Sequence, residues 1–155
     1  MSAVVIVCVA LPIGCSRIPD VSSVTRSERA PRIDPDYTSI VIPPNIAPLN
    51  FRIMEEGRDY LVKISSDAGG KLDIHCPDGT CRIPAKSWRK LLESNKGGRL
   101  VYRLLVQQED GTWLQFNEIT NTVADEPIDS YIVYRLLMPN KSESLIKGIY
   151  QRDLE

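Results

Sequence analysis

RDYLVKISSDAGGKLDIHC, residues 58–76, is the stretch whose reading decides the fold. In its first half Tyr60, Val62 and Ile64 fall on one side of an extended chain and Leu61 and Lys63 on the other, the two-residue period of a half-buried strand. Asp67-Ala68-Gly69-Gly70 then turns the chain into KLDIHC, where Leu72, Ile74 and Cys76 again share a face. Two alternating runs around a glycine-rich turn predict a β-hairpin.

Working outward, IPAKSWRKLLESNKGG (83–98) changes period. Trp88, Leu91 and Leu92 stand at i, i+3 and i+4, Pro84 suits a helix start, and Gly97 and Gly98 suit its end, so one short amphipathic helix is expected. RLVYRLLVQQ (99–108), an Asp110-Gly111 turn and TWLQF (112–116) read as further strands. YIVYRLL (131–137) reads as the last one, entered through ADEPIDS, and nothing in the chain offers a clear partner to the residues from Met138 onward. Upstream, TSIVIPPNIAPLNFRI (38–53) carries Pro43, Pro44 and Pro48, a spacing tolerated at a sheet edge and not in a central strand. Many short strands with one helix predict a mainly β fold, an immunoglobulin- or fibronectin-like β-sandwich over residues 37–138. The alternative is an α+β domain with the helix across one sheet.

The chain has 155 residues, 43% hydrophobic and 25% charged, the composition of one globular domain plus some polar tail. Nineteen Lys and Arg against twenty Asp and Glu leave a net charge of −1, so no overall field favours nucleic acid, and none is expected as a partner. Lys86, Arg89, Lys90, Lys96 and Arg99 read as a solvated helix face interrupted by Glu93. The uncharged run AVVIVCVALPI (3–13) is shorter than the roughly 20 residues that span a bilayer and suits the core of a secretory signal. LPIGCS (11–16) resembles a bacterial lipobox, which makes residues 1–14 a signal peptide and Cys15 the lipidated first mature residue. The leucine stands one place earlier than in that motif and no Lys or Arg precedes the run, so the reading frame is expected to start upstream. Residues 15–36, rich in Ser, Arg, Pro and Asp, read as a flexible tether. The expected location is the bacterial envelope, on the extracytoplasmic side of the inner or outer membrane.

Export changes how the remaining cysteines are read, because disulfides persist outside the cytosol. Cys8 leaves with the leader and Cys15 takes the lipid, which leaves Cys76 and Cys81 in HCPDGTC (75–81). Pro-Asp-Gly is turn chemistry, and a structural disulfide between Cys76 and Cys81 across a hairpin neck is the expectation. A zinc site would need four ligands, a c-type haem would need Cys-x-x-Cys-His, and a redox dithiol favours Cys-x-x-Cys at a helix start. No metal and no cofactor is expected. His75 should point away from Cys76 to the surface, where it is a candidate binding residue. Trp88 and Trp113 suit the core, with sugar stacking by an exposed tryptophan as the competing role. No nucleophile elbow, phosphate loop or dinucleotide fingerprint occurs, and Glu55-Glu56, Asp125, Glu126 and Asp129 read as solvated acids. A non-catalytic protein is expected.

IPPNIAPLNFRI (42–53), SWRKLLESNKGG (87–98), EPIDSYIVYRLL (126–137) and GIYQRDLE (148–155) together resemble the N-terminal region of exported bacterial lipoproteins whose larger C-terminal part is a TolB-like β-propeller. The resemblance runs over residues 37–155. It implies that residues 139–155 are a linker or the first strand of a propeller, and that the haem-type motif of those relatives lies beyond this sequence. Propeller and haem functions are therefore not carried over. The expected role is a spacer and binding module for a protein or glycan partner, with an accessory domain of a propeller-containing envelope enzyme or electron-transfer protein as the alternative.

Overall fold

The computed structural model describes residues 21, 24–129, 131–135 and 149–153. The expected signal peptide and Cys15 lie outside them. The N-terminal strands are β1 (Val24–Arg26), β2 (Ile33–Asp34), β3 (Val41–Ile42) and β4 (Phe51–Ile53), followed by β5 (Asp59–Ser66), β6 (Lys71–His75) and β7 (Thr80–Cys81). After helix α1 (Ala85–Glu93) come β8 (Arg99–Gln107), β9 (Trp113–Gln115), β10 (Ile119–Val123), β11 (Tyr131–Arg135) and β12 (Ile149–Asp153). The chain is mainly β, with one short helix and several sheets, consistent with a β-sandwich.

The expected hairpin is the spine of a seven-stranded sheet. β5 and β6 pair antiparallel with Val62 opposite Ile74, and β8 lies antiparallel along the other side of β5 from Asp59–Gln107 to Ser66–Leu100. Directly opposed residues share a face, so Val62, Ile64, Ile74, Leu100, Leu104 and Val106 all enter one core. On the far side of β8 the return strand comes in two pieces, β9 and β10. Leu105 faces Gln115 and Tyr102 faces Ile119: three residues along β8 match four along its partner. One extra residue, around Asn117, makes a β-bulge. The lead-in chain runs parallel to this bent strand, first as β1 against β9 and then as β3 against β10.

The second layer is shared between a three-stranded sheet, β2-β4-β7, and the helix. Phe51, Ile53 and Cys81 from the sheet join Trp88, Leu91 and Leu92 from the helix in the same core cluster. Pro84 stands at the N-cap in extended conformation, where its missing N–H costs nothing. The helix stops at Ser94, earlier than the glycines. Gly97 is needed three residues later, where φ is +71° and its N–H donates to the carbonyl of Val123.

Several expectations are corrected. The stretch expected as a tether contains β1 and β2, because its backbone finds ladder partners in β9 and β4. Of the segment from Met138 onward, residues 149–153 do have a partner: β12 pairs along its length with β11. ITNTV (119–123) forms a strand that was not expected, since the inward position between Ile119 and Val123 is Asn121, whose Oδ1 accepts the N–H of Ile40 at 3.0 Å. Leu61 faces away from the main core yet is fully buried, in a small cluster with Leu105, Trp113 and Val21.

Candidate functional site

Each residue singled out in the sequence can now be placed. His75 points away from Cys76 as expected, but most of its side chain is covered. Its Nε2 lies 2.7 and 2.9 Å from the two carboxylate oxygens of Asp59, and both side chains are 22% exposed. The register explains the contact: His75 sits opposite Leu61 on β5, and Asp59 is two residues away on the same face. Among the described residues the ring's hydrogen-bond partner is Asp59.

Cys76 and Cys81 are free thiols, both buried, and not the expected disulfide. Pro77-Asp78-Gly79 does form a tight turn, closed by the Gly79 N–H on the Cys76 carbonyl at 2.8 Å with φ of +73° at Gly79. The turn is not a hairpin neck, however. Cys76 follows a strand of the large sheet, whereas Cys81 lies in β7, which pairs with β4 of the small one. The chain crosses between layers here, and the thiols meet inside the core. The Cys76 thiol donates to the Ile74 carbonyl at 3.4 Å; its interaction with Cys81 holds it below its ordinary value, and that interaction and burial push the Cys81 thiol up. Oxidation would join the two layers covalently. Closing so short a ring should add about 2 kcal/mol: the oxidised protein should weigh two hydrogens less and melt higher than the reduced one. Intact mass and thermal melts with and without reductant check this, and equal melting temperatures would count against a clasp.

Neither tryptophan offers a platform. Trp88 is 1% exposed and Trp113 2%, and the indole N–H of Trp88 donates to the carbonyl of Ile46 at 3.2 Å. The exposed aromatic residues among the described ones are elsewhere, on the β11–β12 ribbon, where exposed β-branched side chains accompany them. One face carries Tyr131 and Val133, 53% and 62% exposed, and the other carries Ile132, Tyr134 and Tyr150 at 40–47%. Tyr134 and Tyr150 stack across the ribbon with centroids 5.8 Å apart. Among the described residues each of the two strands pairs only with the other. This surface was not singled out in the sequence, although YIVYR already carried the signal: apolar and aromatic residues on both faces of a strand require cover on both sides.

No group of three or more His, Cys, Asp or Glu among the described residues is placed to hold a metal ion, and no described helix is long and apolar enough to cross a membrane. No family model, curated protein or solved structure matches this chain.

Proposed function

We propose that this protein is a non-catalytic binding and spacer module of the bacterial envelope, lipid-anchored at Cys15, that grips a protein partner through the β11–β12 ribbon. The observation that carries the reading is the ribbon's two-sided exposure of tyrosine and β-branched side chains. A two-stranded ribbon is marginally stable alone, and tyrosine-rich apolar surface with strand edges that pair with no further strand among the described residues suits a protein contact by strand addition and side-chain packing. A glycan partner is less well supported, since both tryptophans are buried. The apolar run at residues 3–13 and the cysteine that follows it support the anchor.

The test is a photo-crosslinking residue at position 133 of the full chain in a Gram-negative host. One discrete adduct with a different protein is expected, and it should disappear when Tyr131 and Tyr134 are changed to serine. Adducts with a second copy of this chain alone, or none, would sink the proposal. Intact mass of the same material reads the anchor: a mature species beginning at acylated Cys15 is expected, and an unprocessed chain would remove it. The ribbon also suits the alternative, an accessory domain whose ribbon opens a further sheet, and a propeller encoded in frame immediately downstream would favour it.

A further inference from the structure

The bulge at Asn117 opens a cavity on the face of the large sheet opposite the main core. It is a half-open cleft of about 330 Å³, lined by Arg26, Ser27, Arg103, Gln115, Asn117 and Glu118, with Phe116. That volume lies at the lower end of the roughly 300–1,000 Å³ of small-ligand pockets. Its walls are tied together. The Ser27 N–H donates to the Gln115 carbonyl at 2.8 Å and the Asn117 N–H to the Arg29 carbonyl at 3.0 Å, while the Asn117 side-chain amide donates to the Glu28 carbonyl at 2.8 Å. The lead-in chain is therefore pinned to the bulge on both sides of the opening.

The charge in this cavity is unbalanced. Arg103 gives its Nε–H to Glu118 at 2.6 Å, which leaves its two terminal nitrogens without a hydrogen bond among the described residues. Arg26 makes no ion pair among the described residues, and the nearby Arg29 is engaged by Glu55. Two guanidinium groups thus face one carboxylate, with the Ser27 hydroxyl and the Gln115 amide beside them as neutral donors. Guanidinium forks match the oxygen geometry of phosphate and hold it by paired, charge-assisted hydrogen bonds.

We propose that this cavity is a binding site for a phosphate-type oxyanion, held between Arg26 and Arg103. The phosphate has two natural sources. Arg26 is eleven residues beyond Cys15, and eleven extended residues reach at most about 40 Å. If the chain is lipid-anchored, a phospholipid headgroup comes within range, and otherwise a soluble phosphate compound is the ligand.

Inorganic phosphate titrated into the isotope-labelled full chain at constant ionic strength should move the amide resonances of Ser27 and Asn117 along saturating curves. Arg26→Gln and Arg103→Gln should each weaken binding about tenfold or more, as expected for losing a charge-assisted contact, with amide spectra elsewhere unchanged. Arg26 is exposed, so its variant keeps the test valid if Arg103→Gln disturbs the fold. Vesicles of phosphatidylglycerol and of phosphatidylcholine distinguish the sources: Arg26-dependent binding to either assigns a headgroup, and response to inorganic phosphate alone assigns a soluble ligand. Absence of saturable shifts at Ser27 and Asn117, or binding undiminished by Arg26→Gln, overturns the site.

Discussion

Replacing Trp88 with alanine should destabilise the protein by about 3–5 kcal/mol, the range for deleting a buried aromatic side chain. The side chain is 1% exposed and, with Leu91 and Leu92, forms the helix's contribution to the core. Its indole N–H also fastens the proline-rich loop through Ile46, so the truncation leaves both a cavity and a carbonyl without its donor. Phenylalanine at the same position fills most of the space and loses only that hydrogen bond and part of the ring, at an expected cost of about 1–2 kcal/mol. Against a total stability of about 5–15 kcal/mol for a domain of this kind, the alanine variant should show a much lower urea midpoint, or be unfolded at the outset. A loss under about 1 kcal/mol from a folded variant would return Trp88 to the surface and revive sugar stacking.

The features legible in the sequence were those with a strong local period. The 58–76 hairpin, the helix and β8 each have enough residues for the pattern to stand out, and each lies where the alternation puts it. What was not legible depends on partners remote in sequence. β1, β2 and β3 are two or three residues long, and strands so short are defined by the ladder they join and not by their own side chains. Leu61 is buried on the face that alternation assigns to solvent, because its cluster with Leu105 and Trp113 on that face forms only when β5, β8 and β9 lie side by side. HCPDGTC correctly announced a turn, yet the sequence had no means of showing that the turn passes between two sheets. His75 shows the same limit: its direction followed from the strand, and its partner Asp59 only from the register.

Changing Glu55 to glutamine should cost about 2–3 kcal/mol and loosen the lead-in chain. Its side chain is 4% exposed. It accepts both forks of Arg29 at 2.8 and 2.5 Å and the N–H of Arg32 at 2.7 Å, while the Arg29 guanidinium lies over Phe116 at 4.8 Å. One buried carboxylate therefore clamps residues 29–32 onto the end of β4. Breaking a buried ion pair typically costs 3–5 kcal/mol because it strands the remaining charge. Here the stranded partners, Arg29 and Arg32, are 54% and 69% exposed and return to water, which lowers the expected figure. The hydrogen bond from Arg29 holds the Glu55 carboxyl below its ordinary 4.5. A depressed folded value means that the clamp contributes fully above about pH 4.5 and is lost as pH falls from there through the folded value. Asp36, Asp67, Asp78 and Asp110 are shifted in the same direction, but they are common to both proteins and cancel in the difference. Thermal melts between neutrality and about pH 3 should show a gap between wild type and Glu55→Gln that is constant at high pH and closes below about pH 4.5. Trypsin should cut the variant faster after Arg29 and Arg32, and a gap independent of pH, with equal cleavage, would mean that the carboxylate carries no clamp.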